Sequence, residues 1–153
     1  MAIAPDAVGR VLPSTETAVP IERLRFFADA IGEKNPIYTD LDAAKAAGHK
    51  GLPLPPTILF GLELEAPGGV AWISELGIDF RRVLHGEQEF TYHSVAHAGE
   101  VLRLEPKITD VYSKKGGALE FVVKETVITR VHDGSAVATA KTVLVVTNPE
   151  AAK

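Results

Sequence analysis

An α+β layer arrangement, with one buried helix gripped by a long antiparallel sheet, is predicted by three features of the 153-residue sequence. Thr57 to about Leu64 is apolar nearly all round (Ile58, Leu59, Phe60, Leu62, Leu64), the mark of a helix enclosed by other structure. The second half consists of long apolar, β-branched runs at about Glu87–Val95, Val101–Tyr112, Leu119–Val131 and Ala136–Thr147, which read as strands. Lys115-Gly116-Gly117 and His132-Asp133-Gly134 supply the glycine turns that join antiparallel hairpins, so the C-terminal part of the sheet is a meander.

The elements follow in order. Residues 1–18 mix small, polar and proline residues without clear periodicity and read as an arm laid on the domain or partly mobile; residues 19–153 form the single domain. From Pro20, which suits a first turn, Ile21, Leu24, Phe27 and Ile31 fall on one helical face, and Gly32 stops the helix. Asp40 caps a second short helix that carries Leu41, Ala44 and Ala47 on one side and ends at Gly48. Pro53, Pro55 and Pro56 then open the central helix. In the last strand Leu144 and Val146 point one way and Val143 and Val145 the other, so both faces of the sheet need cover. The helix covers one; a partner subunit or an edge contact is expected on the other.

Composition narrows the function classes. A length of 153 residues, 46% hydrophobic, suits one core rather than two. The formal net charge of −4 and the absence of any basic run longer than Arg81-Arg82 or Lys114-Lys115 argue against nucleic acid. With no cysteine, disulfides, thiolate nucleophiles and cysteine-held metals are excluded. The histidines His49, His85, His93, His97 and His132 show no recognised ligand spacing, and no metal or cofactor is expected. The N-terminal residues lack a signal-peptide pattern and no apolar run reaches eighteen residues, so no membrane partner is expected and the protein is read as cytoplasmic.

Ile31-Gly32-Glu33-Lys34-Asn35-Pro36-Ile37-Tyr38-Thr39-Asp40 resembles the hydratase motif of MaoC-like proteins, Gly-Asp-x-Asn-Pro-apolar-His-x-Asp, matching it at Gly32, Asn35, Pro36, Ile37 and Asp40. The likeness continues through Gly51 to Thr57, Leu84-His85-Gly86-Glu87-Gln88-Glu89-Phe90 and Ala98-Gly99-Glu100-Val101, covering most of the chain after about Val19. It is strongest for the N-terminal domain class of fatty-acid-synthase-type dehydratases. The resemblance implies a hot-dog fold that dimerises as a double hot dog, as a homodimer or with a second hot-dog subunit. It also implies action on acyl thioesters of coenzyme A or acyl carrier protein: hydration of a trans-2-enoyl group, or dehydration of an (R)-3-hydroxyacyl group.

In that family an aspartate and a histidine hold one water, and a backbone N–H near the start of the central helix polarises the thioester carbonyl. Here both positions differ: Glu33 stands for the aspartate and Tyr38 for the histidine. Glutamate moves the carboxylate by one methylene, and a shift of about 1 Å can cost ~10²-fold in rate. Tyrosine, with an ordinary pKa near 10, is a poor base at neutral pH. The expectation is half an acyl-thioester site, either non-catalytic beside a catalytic partner or a variant that uses Glu33.

By the same resemblance Asn35, Gly51, Thr57 and Phe60 are candidate substrate contacts, and a pocket is expected beside the start of the central helix, lined by Asn35, Tyr38, Thr57 and Phe60. His85 is the alternative general base. Lys50, Arg81 and Arg82 are candidate phosphate contacts. The structural alternatives stay open: an exposed Glu33, a core-packed Tyr38, Asn35-Pro36 as a turn, His85 in a structural hydrogen bond, and surface cations. Competing functions are a non-enzymatic hot-dog dimer that binds an acyl thioester or other apolar ligand, and a hot-dog thioesterase. The thioesterase is disfavoured because Glu63 and Glu65 lie toward the wrong end of the helix.

Overall fold

The computed structural model describes residues 3–152, arranged as a sheet of five antiparallel strands in the order β1-β3-β4-β5-β2 with helices on one face. Thr15–Ala18 forms β1, so the end of the N-terminal arm is an edge strand, paired to β3 from Thr15↔Leu104 to Ala18↔Val101. Ile3, Ala7 and Leu12 of the same arm are buried. Helix α1 is Ile21–Ala30, α2 Leu41–Ala46, α3 Ile58–Glu65 and α4 Ala71–Glu75. The remaining strands are β2 (Val83–Tyr92), β3 (Val101–Lys114), β4 (Leu119–Arg130) and β5 (Ala136–Thr147).

The glycine stops act as the sequence predicts, and they place functional residues. Gly32 has φ +72; its N–H bonds to Asp29 O at 3.0 Å and the Glu33 N–H to Ala28 O at 2.9 Å, a Schellman ending for α1. Gly48, at φ +92, does the same for α2, with His49 N–H on Ala44 O at 3.0 Å. Each motif fixes the direction of the residue after the glycine: Glu33 in one case, His49 in the other.

The central helix α3 buries Ile58, Leu59, Leu62 and Glu63, whereas Leu64 stands 48% exposed, so the enclosure predicted from its apolar composition is incomplete on one side. Its core partners are Leu24 and Ala44 from the outer helices and Leu102, Leu104, Ile128, Ala138 and Ala140 from the sheet. Full burial of such aliphatic side chains contributes about 1.5–3 kcal/mol each. A second cluster joins Ile3, Ala7 and Leu12 to Trp72 and Ile73 of α4 and to Ile108, Val122, Leu144 and Val146. Leu144 and Val146 thus pack under a helix; on the other face Val143 is also buried.

Two expectations need correction. Strand β2 runs from Val83 to Tyr92 rather than from Glu87 to Val95. A bulge at Gly86, between His85 and Glu87, lets the strand begin earlier, and beyond Tyr92 both His93 N–H and Ser94 N–H turn onto Val137 O. Helix α4 was not foreseen: five residues carry too little periodicity, and it is held through buried Trp72 and Ile73. The sheet edges are unequal, four residues in β1 and ten in β2. No described helix is long and apolar enough to cross a membrane.

Candidate functional site

The segment from Glu33 to Asp40 is built by side-chain capping. Asn35 Oδ1 accepts from Ile37 N–H at 3.2 Å and caps the short turn Pro36–Tyr38, and Asp40 Oδ1 accepts from Asp42 and Ala43 N–H at 2.8 and 3.0 Å to start α2. Glu33 Oε1 accepts the Asn35 N–H at 2.8 Å. Tyr38, partly buried, packs on the core cluster of α3, as does Phe27 of α1. Burial, with the Glu33 carboxylate adding, pushes the Tyr38 phenol above its ordinary value of 10. The two residues at the dyad positions therefore feel each other, but near pH 7 Tyr38 is a neutral hydrogen-bonding group, and Glu33 is occupied in bracing its own turn.

Gly51 lies beside His97, whose Cβ would be 3.9 Å from a Cβ at that glycine, and Thr57 is the N-cap of α3 without a side-chain cap bond. A cavity of about 260 Å³ opens beside the start of α3, lined among others by Leu54, Pro55, Pro56, Leu59, Tyr92 and Val137. Asn35, Tyr38 and Thr57 are not among its walls. Phe60 and His85 come together elsewhere, their rings 4.8 Å apart, in a second cavity of about 270 Å³ between α3, α4 and strands β2 and β5. The expected single pocket is thus divided: within one protomer Phe60 and His85 share a wall that Asn35, Tyr38 and Thr57 do not reach.

His85 is exposed, with Nε2 3.1 Å from Glu87 O at the bulge. The three candidate phosphate contacts are separated. Lys50 binds Glu100 at 2.6 Å, near the far end of β2. Arg81 is paired to Asp79 at 2.8 Å, which lowers the Asp79 pKa to about 2, and Arg82 holds Thr147 O at 2.6 Å and Asn148 Oδ1. With β2 between them, Lys50 and the two arginines stand roughly 30 Å apart at ~3.3 Å per residue. One phosphate can meet one group or the other, not both.

A cluster that sequence reasoning passed over adjoins Gly51. His49 Nδ1 lies 3.2 Å from His97 Nε2, and Glu100 gathers Lys50 Nζ at 2.6 Å, the His97 backbone N–H at 2.6 Å and Arg130 Nε at 3.1 Å. Arg130 also donates to Ser94 Oγ at 2.8 Å and Ser135 Oγ at 3.0 Å. Burial works against the Glu100 charge, but the bonds from Lys50, His97 N–H and Arg130 prevail and bring its pKa to about 2. The network clamps the β2–β3 turn to the segment that leads into α3, an arrangement visible only once the chain is folded. Among the described residues no group of three or more His, Asp or Glu side chains could hold a metal ion.

Residues 6–140 match the FAS1-like, dehydratase domain region family. This chain belongs to that family. A UPF0336 protein of Streptomyces avermitilis is 40% identical over 148 residues, 95% of each chain. Among solved structures, the HadBC (3R-hydroxyacyl-ACP dehydratase) complex of Mycobacterium tuberculosis matches with a TM-score of 0.79 and 25% identity, over 92% of this chain and 97% of that one. The MaoC-like dehydratase of Rhodospirillum rubrum matches in fold, with a TM-score of 0.70, 17% identity and coverage of 95% and 97%. The fold is the hot dog, shared with MaoC-like dehydratases, and the family match covers residues 6–140.

Proposed function

We propose that the chain is a subunit of an (R)-specific enoyl-thioester hydratase or 3-hydroxyacyl-thioester dehydratase that contributes a half-site without acid–base chemistry of its own. The observation that carries this reading is the pair at the dyad positions: a tyrosine held more firmly in its neutral form by burial, beside a glutamate engaged by a backbone N–H. Tyr38 keeps its proton near pH 7, and Glu33 sets its carboxylate one methylene away from the family's aspartate. The catalytic groups then come from a second hot-dog subunit, and this chain supplies apolar cavity walls and backbone around an acyl thioester of coenzyme A or acyl carrier protein.

The ten-residue edge of β2 supports a partner, since a long open strand edge is a template for pairing with another chain. The similarity to a protein solved as a dehydratase complex, HadBC, points the same way. Purified alone, the chain is expected to hydrate crotonyl-coenzyme A weakly or not at all, and co-expression with a dyad-bearing hot-dog subunit from the same source to yield an active complex by sedimentation and assay. Rapid turnover by the isolated chain, unchanged in Tyr38→Phe, overturns the reading and moves the chemistry to Glu33 or His85.

A further inference from the structure

A cavity of about 350 Å³ lies away from the dyad positions, at the C-terminal end of α3 under the N-terminal arm. Small residues make the space: Ala66, Gly68, Gly69 and Ala71 line it, and a Cβ at Gly69 would come within 2.8 Å of the Leu64 carbonyl oxygen. Leu12, Leu104 and Trp72 give it apolar walls. Into this setting the fold places three polar side chains, Glu63, Lys124 and Thr126, each more than nine-tenths buried.

Lys124 Nζ is ion-paired with Glu63 Oε2 and sits 5.6 Å from the Trp72 ring centre. Among the described residues Glu63 Oε1 and Thr126 Oγ1 have no hydrogen-bond partner. Burying a charge is costly even when it is paired, and an unmet acceptor adds to that cost. A core that served stability alone would do better with leucines at these positions. We propose that this cavity is a binding site for a small aliphatic alcohol group, free or at the end of a larger apolar molecule.

The donor and acceptor set selects that chemistry. The ligand must donate to Glu63 Oε1, which excludes carboxylates, ethers and simple carbonyls. It must also accept from the Thr126 hydroxyl or from Lys124, which excludes an ammonium. A hydroxyl does both through one atom, and its alkyl body fits Leu12, Leu104 and Trp72. A cavity of this volume is at the small end of ligand pockets. Gly69, Trp72 and Lys124 also wall the cavity that holds Phe60 and His85, whereas Glu63 and Thr126 line this one alone and set it apart.

Trp72, the sole tryptophan of the chain, borders both cavities, so its emission reports binding and the Thr126 variant assigns it to one of them. Titration of the full chain with 1-hexanol should shift Trp72 emission saturably, while 1-methoxypentane, equal in heavy atoms but without a donor, should bind at least about fivefold more weakly. Thr126→Val should weaken alcohol and ether alike, and Glu63→Leu combined with Lys124→Met, which removes the acceptor without leaving a charge unpaired, should remove the preference. Equal affinity for alcohol and ether overturns the proposal. So does the absence of a saturable signal, which would leave water alone on Glu63 and Thr126, or an alcohol response that Thr126→Val leaves unchanged, which would place the probe in the neighbouring cavity.

Discussion

His49 and His97 meet ring to ring, Nδ1 of the first 3.2 Å from Nε2 of the second, although each is carried by a different loop. The outer nitrogen of His97, Nδ1, lies 3.6 Å from Glu100 Oε2. Burial lowers the His97 pKa below 6.5, Glu100 opposes the fall, and His49 and Lys50 add to it. Burial thus favours the neutral form of His97 in this contact, and the tautomers decide which ring donates.

The sign of the pH dependence follows. A histidine whose folded pKa is depressed takes up its proton in the unfolded chain first, so stability is lost as pH falls from 6.5 toward the depressed value. Glu100, ordinarily near 4.5 and held at about 2, extends the loss through that lower window as its protonation breaks the clamp. Thermal denaturation between pH 7.5 and 4 should show wild type weakening already below pH 6.5, and His97→Gln staying level until the carboxylate range. Identical profiles would remove His97 from the account.

Restoring the dyad is a test of construction rather than of loss. Glu33→Asp with Tyr38→His should raise crotonyl-coenzyme A hydration by ~10²-fold or more over either single change, because both groups act on one water. The gain is to be measured in the assembled complex as well as in the isolated chain. No gain in either would show that the surrounding half-site lacks the geometry for turnover.

The buried pair Glu63–Lys124 should behave non-additively. Lys124→Met alone leaves a buried carboxylate unpaired and should cost about 3–5 kcal/mol in chemical denaturation, whereas adding Glu63→Leu should recover most of that loss. A single variant as stable as wild type would mean that water reaches Glu63 freely.

At the β2 bulge, Gly86 has no room for a side chain: a Cβ there would lie 2.7 Å from Val145 Cγ2 and 3.1 Å from Val143 O. Gly86→Ala should therefore destabilise the chain by about 1–3 kcal/mol and disturb the neighbouring contact of His85 with Phe60. Urea unfolding and the 270 Å³ cavity's response to acyl-thioester analogues check the two effects separately.

Much of the fold was legible because its causes are local. Gly32 and Gly48 stop helices, Asn35 and Asp40 cap turns, and β-branched runs joined by glycine turns become hairpins, all through interactions within a few residues. The replacement of the dyad by Glu33 and Tyr38 is likewise a fact of sequence. What the sequence could not supply depends on where distant segments land. His49 and His97 are 48 residues apart, and Lys124 and Glu63 are 61. Lys124 looks like an ordinary strand cation, and only its register, opposite Ile108 and Thr142, turns it inward onto the central helix. A slip of one residue would send it to the other face. The division of the expected pocket has the same origin: helical turn and strand bulge, not residue type, decide which walls Phe60, His85 and Tyr38 share.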